Sequence, residues 1–138
     1  MSLKVESKIG KSDCLDVDLF DFLSDFTNFV KLLPPQHQTN IQATTESCTI
    51  GAGVMGNFTL IYFEKERPKL LKIGTEGAKE NILVWIQLKA LEPYNTAVKV
   101  TISLETGFMA KMIIKGQIQQ LADSLVDAIL QIHPNMLT

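Results

Sequence analysis

The chain has 138 residues, 46% of them hydrophobic and 20% charged, with a formal net charge of −2. That balance suits one soluble globular domain spanning residues 1–138, and about 68% of the unfolded surface of such a chain is buried on folding. It argues against general nucleic-acid binding, which shows a basic excess, and no uncharged apolar run approaches the ~20 residues of a membrane span. The first ten residues alternate charged and apolar side chains without the apolar core of a signal peptide. Cys14 and Cys48 have no metal-ligand spacing and read as a reduced pair, which points to the cytoplasm. Asn57-Phe58-Thr59 matches a glycosylation sequon, a chance match if the chain is not secreted.

Leu3, Val5, Ser7 and Ile9 alternate with Lys4, Glu6 and Lys8, the pattern of a half-buried first strand that ends at Gly10. From Ser12 to Pro35 the period changes to helical. Asp13 and Asp16 are candidate caps, and Val17, Phe20 and Leu23 share a face. Ser24-Asp25 breaks the run and caps a second short helix carrying Phe26, Phe29, Val30 and Leu33. Pro34-Pro35 stops it.

Between Gln38 and Thr106 there is no helical period. Ile41 to Thr44, Ser47 to Ile50, Asn57 to Tyr62 and the segment around Leu71 and Ile73 read as strands, with Glu64 to Pro68 a charged turn. Ile82, Val84, Ile86 and Leu88 form one face of a long strand, with Trp85, Gln87 and Lys89 on the other. After a proline turn at Glu92 to Asn95, Val98, Val100, Ile102 and Leu104 alternate with Lys99, Thr101, Ser103 and Glu105. Turn signals at short intervals imply hairpins, so the class is α+β with an antiparallel sheet.

Phe108 to Ile132 returns to helical spacing. Ile114, Ile118, Leu121, Leu125, Ala128 and Ile132 make a four-three stripe, widened by Ala122, Val126 and Ile129. Such a helix is about 37 Å long and needs an apolar surface to lie on, which the strands before it supply. The stripe Ile118, Leu121, Leu125 is expected to pack tightly. Met109 and Met112, with Phe108 and Ile113, offer a more adaptable N-terminal half. Gly116 either lets the helix approach the sheet or marks a bend.

The order of strand, two short helices, about six strands and one long helix resembles the START-like helix-grip superfamily, also called SRPBCC. The segment Val17 to Phe29, closing at Leu32-Leu33-Pro34, is similar to its opening helices, with Phe20, Leu23, Asp25, Asn28, Leu32 and Pro34 at matching places. The resemblance implies six to seven curved antiparallel strands around a C-terminal helix, with a cavity between them. Members bind sterols, lipids, polyketides or hormones, and others are cyclases or activate a chaperone. The superfamily shares no catalytic constellation, so no active-site residue carries over.

The residues add little chemistry of their own. His37 and His133 lie beside prolines, outside any ligand set, so neither a metal nor another cofactor is expected. Gly51-Ala52-Gly53 lacks the following helix of a phosphate loop. Cys48 reads as a buried inert thiol. Glu64, Glu66, Glu80, Glu92 and Glu105 read as solvated, although Glu64 continues the Phe58-Leu60-Tyr62 face and is a candidate cap for a pocket. Tyr62 is the one hydroxylated aromatic expected to point inward, as a ligand contact or as core. The expected cavity is lined by Phe29, Tyr62, Ile73, Ile86 and Val100, with Met109, Met112 and Ile113 from the helix. The expected function is non-catalytic binding of a small apolar molecule, lipid or polyketide-like. The alternatives are a cyclase or dehydratase acting through Tyr62 or Glu64, and a protein-interaction module with an idle cavity whose partner the sequence does not name.

Overall fold

In the computed structural model, residues 2–32, 40–51, 57–76, 81–105 and 115–137 are described. The elements in order are β1 (Ser2–Glu6), β2 (Gly10–Ser12), α1 (Asp16–Leu23), α2 (Phe26–Lys31), β3 (Ile41–Ala43), β4 (Ser47–Gly51), β5 (Asn57–Glu66), β6 (Leu70–Thr75), β7 (Asn81–Glu92), β8 (Asn95–Glu105) and α3 (Lys115–Leu130), followed by a 3₁₀ turn (Pro134–Met136). The eight strands form one antiparallel sheet in the order β1-β8-β7-β6-β5-β4-β3, with β2 also on β8. No described helix is long and apolar enough to cross a membrane.

The first strand is not continuous. Val5 pairs with Ile102 and Glu6 with Thr101, but Gly10 pairs with Val98. Four steps on one strand match three on the other, so one residue is extra. A bulge of this kind reverses which face the following side chains take. Ile9, expected on the half-buried face, is therefore 66% exposed, and Gly10 and Ser12 are buried instead. Ser7 holds the bulge to β8 twice, through its N–H to the Val100 carbonyl and through the Val100 N–H to its Oγ.

A second bulge falls between Tyr62 and Glu64 in β5. It turns Glu64 to the outer face, where it faces Lys72 at 3.9 Å. Glu64 thus lies on the opposite side of the sheet from the expected pocket. Glu64 to Glu66 also continue the strand, and the turn begins only at Arg67.

The α1–α2 corner is built by local capping. Asp25 Oδ1 accepts the Thr27 N–H and hydroxyl at 2.9 and 2.6 Å, and the Asn28 amide donates to the Phe22 carbonyl at 3.1 Å. Asp16 accepts the Val17 N–H, while Leu15 occupies the N-cap position of α1.

On α3 the packed face is Ala122, Val126 and Ile129, all fully buried, with Ile132 beyond the helix end. Leu121, expected in the tight stripe, is 48% exposed. The face is rotated because small residues at 122 and 126 let the helix close on β1, β2 and β8, and Gly10 permits the approach: a Cβ there would lie 2.7 Å from both Val126 and Leu130. The same approach serves the sheet edge. Gln119 Nε2 donates to the Glu6 carbonyl, Asp123 accepts the Lys8 N–H, and Asp127 pairs with the Lys8 ammonium at 2.7 Å. An edge strand otherwise presents unpaired backbone groups.

Candidate functional site

Beside the packed face of α3 the helix and the sheet diverge, leaving a cavity of about 260 Å³. Its floor comes from alternate, inward residues of five strands: Cys48 and Ile50 on β4, Leu60 on β5, Ile73 on β6, Ile82, Val84 and Ile86 on β7, and Ile102 and Leu104 on β8. Ile41 on β3 closes one side. Phe26, Phe29 and Val30 of α2 form a wall, and Ile118, Leu121 and Leu125 of α3 form the roof. The floor is contiguous across the ladder, with Ile73 paired to Val84 and Val84 to Ile102. Period-two alternation puts these side chains on one face, and the sheet's wrap around the helix points them at one another.

Among its lining residues Ile86, Ile102, Ile73 and Cys48 are nearly inaccessible, while Leu121 is exposed. Cys48 carries the one heteroatom among the described lining side chains, and desolvation raises its thiol pKa, which keeps it protonated.

Of the residues anticipated from sequence, Phe29, Ile73 and Ile86 lie on this wall. Val100 does not: it is fully buried one inward step further along β8, in the solid part of the core. Met109, Met112 and Ile113 lie outside the described residues. Gly116 faces open space: a Cβ added there would meet nothing within 4 Å, so the glycine neither admits the sheet nor shapes the pocket.

Tyr62 is also outside the lining. Its ring stacks on Phe26 with centroids 4.3 Å apart, and its hydroxyl donates to the Leu23 carbonyl at 2.6 Å. Lys65 sits 4.4 Å above the ring and donates to the Ser24 carbonyl and Glu46. Tyr62 therefore bolts the helical corner to β5. Burial, then the nearby negative charges of Asp25 and Glu46, push its pKa well above the ordinary phenol value. A raised folded-state pKa means stability that is complete below the unfolded phenol value near 10 and declines as pH rises beyond it. Tyr62→Phe is expected to cost about 1–2 kcal/mol in a denaturant melt and to flatten that alkaline decline. Unchanged stability with altered ligand binding would show instead that the hydroxyl serves a ligand.

The wall residues absent from the sequence expectation are chiefly Leu60, Val84, Ile102, Leu121 and Leu125. The strand members were legible as inward-facing. The helix members were legible only from size, since the smaller Ala122 and Val126 mark the side that touches the sheet.

A larger open groove of about 730 Å³ lies toward the β7–β8 hairpin, bordered by Lys69, Lys89, Lys99, Asp16 and Glu66. Its lining also includes apolar Ile9, Pro68, Leu70, Leu88, Ala90, Ala97 and Val98, so charged side chains stand among an apolar surface, and Lys99 there is held by Glu6 at 2.7 Å. Among the described residues no three His, Cys, Asp or Glu side chains converge on a common point. Cys14 and Cys48 are both buried and unpaired with each other, and the Cys14 thiol donates to the Ile132 carbonyl at the end of α3.

No family model matches the sequence, and no curated protein does. Several solved structures do match in shape. Ara h 8.0201 aligns with a TM-score of 0.64 at 14% identity, over 94% of this chain and 96% of its own. Truncated norcoclaurine synthase from Thalictrum flavum aligns at 0.66 with 12% identity, over 95% and 92%. A START superfamily protein from Mycobacterium smegmatis aligns at 0.60 with 15% identity, over 93% and 97%. The alignments run over more than nine tenths of each chain and show the fold: the chain has a helix-grip α+β fold like theirs, with an antiparallel sheet and a C-terminal helix.

Proposed function

We propose that the chain binds a small apolar molecule in the cavity between the sheet and α3. The observation that carries this reading is a space of about 260 Å³ walled by sixteen described residues, fifteen of them hydrocarbon and one a thiol. Protein interiors are close-packed, and voids larger than a water are few. Apolar wall left without packed neighbours forgoes hydrophobic stabilisation of about 25 cal/mol per Å². An apolar guest recovers much of it. The volume approaches the roughly 300 Å³ lower end of ordinary ligand pockets. Buried free thiols support a reducing, cytoplasmic setting.

Norcoclaurine synthase is an enzyme by name, so the fold is compatible with catalysis. Here the two groups that a cyclase or dehydratase reading relies on are engaged elsewhere: the Tyr62 hydroxyl on the Leu23 carbonyl, and Glu64 on the outer face beside Lys72. Binding is therefore the reading the geometry favours.

The test is titration with an apolar fluorescent probe. Val84→Trp, which fills the floor, is expected to weaken probe binding at least tenfold, and Ile118→Phe is expected to do so from the roof. Gly116→Leu, on the exposed side of α3, is expected to leave binding unchanged. Melting curves show which variants retain the fold. Equal binding by folded Val84→Trp and the parent protein places the probe elsewhere and favours an interaction module.

A further inference from the structure

We infer, resting on the binding reading above, that the part of the ligand that enters the cavity is a hydrocarbon segment of about ten carbons with no hydrogen-bonding group. Three features of the site lead there.

The first is that the described walls offer an inserted polar group almost nothing to bond. The floor is made of interior strands whose backbone donors and acceptors are used in the β5–β6–β7–β8 ladders. The inward hydroxyls next to the wall are engaged elsewhere: Tyr62 donates to Leu23, and Thr75 Oγ1 accepts the Ile82 N–H at 3.2 Å. Cys48 contributes a protonated thiol, a weak donor. A hydroxyl carried inside would lose its water without replacement, and burial of an uncompensated hydroxyl weakens binding roughly 10- to 100-fold.

The second is size. A cavity of about 150 Å³ holds benzene, so about 260 Å³ holds some ten carbons. The third is the character of the walls. Nine of the sixteen lining residues are isoleucine or valine, whose branched side chains are stiff at χ1, and only two are aromatic, both on α2. Such a wall keeps its shape and gives little ring stacking. These features favour an aliphatic chain over a hydroxylated aromatic polyketide of the same size.

Displacement of the apolar probe by 1-alkanols from hexanol to hexadecanol tests this. Affinity is expected to rise about fourfold per methylene, the value for a fully buried CH₂, up to about ten carbons and then to level off. 5-Decanol is expected to bind roughly 10- to 100-fold more weakly than 1-decanol, because its hydroxyl must enter the cavity. 1,5-Dihydroxynaphthalene, also with ten carbons, is expected to compete poorly. If 5-decanol or the naphthalene diol competes as well as 1-decanol, the hydrocarbon assignment is overturned while ligand binding stands. If neither the probe nor any alkanol binds, the binding reading fails and this inference with it.

Discussion

Ile129→Ala is expected to destabilise the protein by about 3–5 kcal/mol, while Leu121→Ala should cost about 1 kcal/mol or less. Both positions lie on the apolar side of α3. Ile129 is fully buried on the face that closes against the sheet, so its deletion opens a cavity that the rigid strands around it cannot fill. Leu121 is 48% exposed and lines the existing cavity, and its truncation widens a space that is already open. A uniform stripe would give the two substitutions similar costs. Urea melts of both variants decide the matter, and equal destabilisation would mean that α3 sits on the sheet by its 118-121-125 edge after all.

Gly10→Val is expected to cost about 3 kcal/mol, through overpacking rather than loss of contact. Even a single Cβ would stand 2.7 Å from Val126 Cγ1 and from Leu130 Cδ1. The leucine end can swing away, but Val126 is stiff at χ1 and fully buried. Gly10→Ala should be milder, and adding Val126→Ala to it should recover part of the loss. That non-additivity marks two residues competing for one space. Additive costs in the double variant would place the strain in the β1–β2 bulge itself.

Lys99, on the outer face of β8, supplies the contrast. Its pair with Glu6 is solvent-exposed, and Lys99→Ala should stay within about 0.5 kcal/mol.

The order and type of the elements were legible along the chain because each rests on local period and punctuation. Asp25 caps α2 from its own first turn, and Val98, Val100, Ile102 and Leu104 alternate inward over a regular strand. Facing failed where the backbone departs from regularity by one residue. The bulge after Glu6 sends Ile9 outward, and the bulge at Phe63 sends Glu64 to the outer face. A bulge preserves composition and local pattern while reversing every later side chain, and it becomes visible only when the partner strand is in place.

The candidate site divides along the same line. Residue pattern was enough for the inward faces of β6 and β7, hence Ile73 and Ile86, and for the aromatic face of α2, hence Phe29. Three things came only with the packed chain: Tyr62 spends its hydroxyl on Leu23, Val100 lies in solid core, and Ile118, Leu121 and Leu125 form the roof while Ala122, Val126 and Ile129 form the tight seam. They were hidden because a helix period defines an apolar arc wider than any one contact. Which part of the arc touches the sheet depends on how closely the backbones approach, and here Gly10 on β2 meets Val126 and Leu130 of α3, more than a hundred residues away, and leaves the room for that approach.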